Sequence, residues 1–295
     1  MDFTLFVGDY AYSSWSLRGW LLLDAFGIPF TKRHAHMLTD AFEMMRTEMT
    51  PSRLVPALAV SDGTRVPVMV WDTVAMAETL HEYHPKAGIW PVGASARPTA
   101  RSLVAEMHSG FTALRGACPM NMRRAYAGFE AADDVKADLD RLAQIWAHAR
   151  ARQSSEGAFL FGAFSAADAF FAPVCSRIAT YGLEMPEPDL EYVAAVLGHH
   201  SVRRWRAMGI ADGHIQAHYE FDYAPRPNPH DPAVTGTVVH DQRAENAFCP
   251  FSGNDVSDDG LVEVNGRVIG FCNPFCRDKV AADPFCWPEV AMMLR

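Results

Sequence analysis

No run of apolar residues in this sequence is long enough to cross a bilayer as a helix, although 49% of its residues are hydrophobic. Positive charge is scarce. The 26 Lys and Arg stand against 35 Asp and Glu, a formal net charge of −9. That balance argues against nucleic acid or an anionic membrane as the main partner. No basic stretch precedes an apolar segment at the N-terminus, so no signal peptide is expected. Cysteine is nearly missing from most of the chain: only Cys118 and Cys175 precede residue 249, and each reads as a buried thiol in an apolar helix. The other four of the six crowd into the last 47 residues. Without an export signal, such a cluster reads as metal-binding before disulfide. These absences point to the cytoplasm. With 21% charged residues, wholesale disorder is also excluded, and 295 residues suffice for about two domains.

Phe3-Leu5-Phe6-Val7 reads as a buried strand, broken by Gly8-Asp9. Tyr12-Ser13-Ser14-Trp15-Ser16 follows, then a helical run from Leu17 to Ala25 that Gly27-Ile28-Pro29 stops. Three hydroxyls therefore sit where a strand ends and a helix begins. That place gathers free backbone N–H groups and the positive end of a helix dipole, and it favours an anion such as a thiolate. Taken alone, a serine there is more often a simple N-cap. In Leu54-Val55-Pro56-Ala57-Leu58 the proline, cis or trans, opens a probable strand and leaves Val55 free to pair with an extended ligand. Asp72-Thr73 marks another strand-to-helix junction, where a carboxylate beside a hydroxyl suits the charged end of an amino acid. Asp62-Gly63 signals a hairpin. Residues 1–84 thus run β-α-β-α-β-β-α, with His34 and His36 expected in solvent and Met44-Met45 in the core. His81 and His84 read as helix-end dipole partners.

Beyond a Pro/Gly-rich connection, residues 97–221 read as all helical. Leu103, Met107, Phe111 and Leu114 form one stripe, and Val135, Leu139, Leu142 and Trp146 another, on a helix over Asp134–Gln153. Ser165 with Asp168 three residues later is a capping box. Leu190–Leu197 and Val202–Ala211 supply the last helices, and His214-x3-His218 is expected at an exposed end.

The S-S-x-S start, the Val55-Pro56 pair, and Asp72-Thr73-x-Ala75-x-x-Glu78 together resemble the glutathione-binding half of the glutathione S-transferases, in a serine-type, zeta-like version. The run from Phe161 to Val174 resembles the core helix of their C-terminal domain. The resemblance implies a thioredoxin-like α/β domain followed by an all-α transferase domain, and a homodimer. It implies glutathione lying on Val55 and Pro56, with its γ-glutamyl end at Asp72 and Thr73. Ser13, with Ser14 as neighbour, would activate the thiol. Trp15, Met107, Phe111 and Arg115 would line the pocket for a small-molecule electrophile. Trp15 stands where zeta-type proteins have cysteine, which argues against a close maleylacetoacetate isomerase.

Asp222–Arg243, with four prolines, reads as an extended linker; with the following residues it separates the transferase part from a unit at 248–295. There Cys249, Cys272 and Cys276 are spaced C-x22-C-x3-C around a hairpin turning at Asn265-Gly266. Fewer than about fifty residues build little core, and three gathered thiolates suit zinc. The unit resembles the small cysteine-rich ββα metal-binding modules of the YHS/TRASH type. Cys286 is the expected fourth ligand, with His240, Asp278 or water as substitutes. The expected activity is conjugation of glutathione to an electrophile, with structural zinc. The alternatives are a glutathione-dependent isomerase of a small unsaturated diacid, in which Arg115 binds a carboxylate, and a non-catalytic metal-sensing or metal-delivery protein on a transferase scaffold.

Overall fold

The computed structural model describes residues 1–153 and 156–295. Strand β1 (Asp2–Val7) is central because its side chains alternate between two apolar layers: Phe3, Leu5 and Val7 face the main core, and Phe6 joins a smaller cluster on the other side. Helix α1 (Ser14–Asp24) covers the first face. Strand β2 (Thr31–His34) lies parallel to β1, and helix α2 (Asp40–Glu48) covers the second face. Met45 is buried there, but Met44 is 66% exposed. Neighbouring residues on a helix point about 100° apart, so one face cannot bury both. Strands β3 (Ala57–Ser61) and β4 (Val68–Trp71) form the antiparallel hairpin, giving the sheet order β2-β1-β3-β4, and helix α3 (Thr73–Tyr83) returns beside α1. This is the expected thioredoxin-like layer.

The second layer starts with helix α4 (Ala96–Ser109). The stripe from Leu103 to Leu114 is buried throughout but belongs to two helices: Phe111 adopts φ 57°, and helix α5 (Thr112–Ala117) starts in a new direction. A short strand β5 (Tyr126–Ala127) precedes helix α6 (Asp133–Arg150). Helix α7 (Ala166–Tyr181) is buried along its whole length between α1, α4 and α8 (Glu187–Gly198). Its start is the predicted capping box. Asp168 accepts from the backbone N–H of Ser165 (2.8 Å) and Leu160 (3.2 Å) and from the Ser165 hydroxyl (2.9 Å). Burial pushes its carboxyl up to about 6 against those donors. Helix α9 (His200–Asp212) closes the layer.

The proline-rich stretch is held rather than free. Strand β6 (Ala224–Pro225) pairs with β5, and Arg226 donates to the carbonyls of Tyr126 (2.9 Å) and Ala179. Strand β7 (Thr237–Val238) joins the hairpin of β8 (Leu261–Val264) and β9 (Arg267–Gly270), so the C-terminal sheet has three strands instead of two. Asn265 and Gly266 both take positive φ, as the Asn-Gly turn requires. Helices α10 (Pro274–Ala282) and α11 (Pro288–Met293) complete the unit. It is docked on the helical layer. Helix α10 packs on α9, Arg203 grips Asp283 with two bonds (2.8 and 2.7 Å), and Phe275 stacks on Tyr10 at 6.2 Å. Among the described residues no helix is long and apolar enough to cross a membrane.

Candidate functional site

The turn after β1 is set by Asp9, whose carbonyl accepts from Ser13 N (2.9 Å). Ser13 is the N-cap of α1: its Oγ accepts from Ser16 N (3.3 Å) and lies 2.8 Å from Ser16 Oγ. Ser16 Oγ in turn accepts from Gly8 N (3.0 Å). The N–H groups of Ser14 and Trp15 have no acceptor among the described residues. A cap, a second hydroxyl on Ser14 and two free N–H groups therefore meet at the positive end of α1. Tyr12 lies beside them, but its hydroxyl already donates to Glu220 (2.7 Å), and burial followed by that bond raises it to about 12.

These groups line a cleft of about 1250 Å³ between the two layers. Across it lies Val55, before the cis Val55–Pro56 peptide, with both backbone polar groups unpaired among the described residues. Asp72 and Thr73 line it too. Asp72 adopts φ 74°, a conformation that costs a non-glycine residue on the order of 1–3 kcal/mol. One of its oxygens caps Val74 N (2.8 Å), and the other meets His108 Nε2 (3.0 Å). The Thr73 hydroxyl is buried without a partner among the described residues. Ser13, Ser14, Val55, Pro56, Asp72 and Thr73 are thus gathered as the sequence implied.

The pocket wall is corrected in part. Trp15 and Arg115 line the cleft, with the Arg115 guanidinium 5.3 Å from the Trp15 ring centre. Met107 and Phe111 do not. Both turn into the apolar core, Met107 from the face of α4 that packs on α7 and Phe111 from the residue before α5. Sequence reasoning missed two arginines here, one on the cleft wall and one buried behind it. Arg177 of α7 reaches the cleft while donating to the carbonyls of Cys118 (2.8 Å) and Pro173 (3.2 Å). Arg18 lies behind Trp15 at 4.6 Å, with two of its nitrogens unpartnered. Burial, then repulsion from Arg177 and Arg115, lowers Arg18 to about 9; burial and Arg115 lower Arg177 to about 10. Both lie in helical stretches that read as core, so spacing carried no signal for them.

In the C-terminal unit the Sγ atoms of Cys249, Cys272 and Cys276 lie within 4.8 Å of one another. Cys272 Sγ accepts from Ser252 Oγ and Asn273 Nδ2, each at 3.2 Å. Burial pushes the Cys249 thiol up, and the backbone N–H groups of Cys272, Phe251 and Ser252 more than reverse it, to about 7. Such donors favour thiolates, and the set fits a thiophilic cation. Cys286 is not the fourth ligand: it is buried apart, in the turn after α10, with its Sγ donating to the Asp283 carbonyl (3.3 Å). Asp278 is held by Arg277 (2.7 Å). The histidines expected in solvent, His34 and His36, instead face the end of α9, where His214 meets them. Burial pushes His34 down to about 3.

Residues 12–82 match the family model described as the glutathione S-transferase N-terminal domain. No curated protein matches by sequence. Among solved structures, a glutathione transferase homologue from Burkholderia, with bound glutathione, is 23% identical, covers 70% of this chain and 96% of its own, and gives a TM-score of 0.51. Glutathione transferase Omega 1C from Trametes versicolor is 19% identical over 69% of this chain and 90% of its own (TM-score 0.53). Maleylacetoacetate isomerase from Anaeromyxobacter dehalogenans, with bound glutathione, is 23% identical over 69% and 94% (TM-score 0.50). The two-layer part of the chain therefore has the glutathione transferase fold, and residues 12–82 of its first layer match the model of that family's N-terminal domain.

Proposed function

We propose that this protein is a glutathione transferase that conjugates the glutathione thiolate to an electrophilic small molecule. The observation that carries the reading is the start of α1, where uncommitted N–H groups and serine hydroxyls open into a large cleft. Glutathione lies across the unpaired backbone of Val55, with its γ-glutamyl ammonium at Asp72 and its carboxylate at the orphan hydroxyl of Thr73. Ser13 Oγ donates to Ser16 Oγ and accepts from Ser16 N; with glutathione bound, its hydroxyl rotates to donate to the sulfur. That donor and the helix field hold the thiolate near neutral pH. The thiolate then forms the C–S bond with the electrophile. Calorimetry with glutathione on the purified full chain tests the reading: binding in the micromolar-to-millimolar range is expected, and no binding by folded protein overturns it. A homodimer in the cytoplasm belongs to the same reading, and sedimentation tests the pairing.

Arg115 and Arg177, both on the cleft wall, favour a second reading, a glutathione-dependent isomerase of an unsaturated diacid. Neither has a carboxylate partner among the described residues, and guanidinium groups bind carboxylates well. Isomer conversion without net glutathione consumption would distinguish it from conjugation.

For the C-terminal unit, Cys249, Cys272 and Cys276 would hold zinc, which would staple a small core. Metal content of the protein purified without added metal tests this, with one equivalent expected to be lost in Cys272→Ser.

A further inference from the structure

The cleft and the cysteine unit leave one cluster of chemistry-bearing side chains without a role. It lies on the seam between the two layers. Asp9 comes from the turn before α1, His34 and His36 from the end of β2, and Asp212, His214 and Gln216 from the end of α9 and beyond. We propose that Asp9, His36 and His214 form a site for a divalent transition-metal ion of the zinc type.

Asp9 Oδ1 stands 3.1 Å from His36 Nδ1 and 3.6 Å from His214 Nε2, and all three ligand atoms lie within 4.8 Å of one another. Around a tetrahedral ion with bonds of roughly 2.0–2.1 Å, ligand atoms stand roughly 3.3–3.5 Å apart. The observed separations bracket that value. The donor set, two imidazoles and a carboxylate, is one that such ions select.

The surroundings fit as well. The other oxygen of Asp9 accepts from Met37 N (3.0 Å) and Gln216 Nε2 (3.4 Å), so the carboxylate is fixed. Asp212 Oδ1 lies 3.5 Å from His36 Nε2, the nitrogen that faces away from Asp9. A carboxylate behind a ligating imidazole fixes its tautomer and raises its basicity. Asp9 is 2% exposed, and no lysine or arginine pairs with it among the described residues. His36 and His214 are each 30% exposed, which leaves a way in. Their rings stack at 3.9 Å with 20° between planes, so binding requires each ring to turn about its Cβ–Cγ bond until the lone pairs converge.

The test is titration of the metal-free full chain with cobalt(II), followed by absorption. Cobalt on the cysteines gives a thiolate charge-transfer band; cobalt on Asp9, His36 and His214 gives none. An equivalent bound without that band is expected. His36→Ala and His214→Ala should each remove it and leave the thiolate band intact. Asp212→Asn should weaken it about 10- to 100-fold. Long-range 1H–15N spectra of the wild-type histidine rings during zinc titration give a readout that needs no variant, with two rings shifting together. The proposal is overturned if every bound equivalent shows the thiolate band, if the band-free equivalent survives in both alanine variants, or if no pair of rings responds to zinc.

Discussion

Ser13 and Ser165 begin helices in the same way and do different things. Each is an N-cap in extended backbone conformation. At Ser165 the helix start is closed: Asp168 receives the N–H groups of Ser165 and Leu160, Ala166 N donates to the Ile89 carbonyl (2.7 Å), and the whole of α7 is buried. At Ser13 the cap is shared with another hydroxyl, no carboxylate fills the first turn, and two N–H groups stay free beside an open cleft. The difference teaches that the residue type does not make a helix start a site. Donors left over in a place a ligand can reach make it one.

That contrast can be broken by mutation. The largest effect is expected for Asp168→Ala, which leaves the N–H groups of Ser165 and Leu160 buried without acceptors. A loss of roughly 2–6 kcal/mol in denaturant unfolding follows from about 1–3 kcal/mol per orphaned group. A value under about 1 kcal/mol would mean that α7 does not depend on its cap. Next comes a pH effect. The folded carboxyl of Asp168 sits at about 6, above the ordinary value of 3.8. Between those values the folded state therefore binds more protons than the unfolded one, and this group's contribution to stability falls as pH rises. Relative to Asp168→Asn, the wild type should lose about 2 kcal/mol between pH 4 and pH 6, and level off above about pH 7. A flat difference would place the proton elsewhere.

Ser13→Ala should behave oppositely. Loss of the cap costs about 1 kcal/mol of stability. Conjugation near neutral pH should fall about 100-fold, as for other lost anion-stabilising donors, with the pH–rate profile moved to higher pH. Ser16→Ala should move the profile the same way, by less. Unchanged pH–rate behaviour in Ser13→Ala would remove it from the chemistry and leave Ser14 as the donor. The smallest effect concerns the third cysteine-bearing turn: Cys286→Ser should leave metal stoichiometry unaltered, whereas Cys272→Ser should lower it.

The parts of the protein that could be read from the chain were the contiguous ones. Strand-to-helix junctions at Ser13 and Asp72, the proline before β3, the capping box at Ser165 and Asp168, and the Asn265-Gly266 turn each lie within a few residues. Their spacing maps directly onto a turn of helix or a hairpin. Where reading failed, a side chain's direction depended on packing. Met107 and Phe111 fell on one apolar stripe, and that whole stripe packs into the core instead of facing the cleft. Cys286 had a plausible spacing, yet the turn after α10 buried it against Asp283.

The sequence by itself determined the order of the main helices and of strands β1 to β4, the two layers and the residues at the start of α1, because periodicity and capping act over one or two turns. Only the tertiary structure decided which distant residues meet. Arg18 and Arg177 come from α1 and α7, and both approach Trp15 and Arg115 because those helices pack face to face. Asp9, His36 and His214 span more than two hundred positions and converge only because the end of α9 lies over the seam beside β1 and β2. Spacing along a chain carries local geometry; the burial of an entire apolar face selects long-range neighbours, and no short motif encodes that.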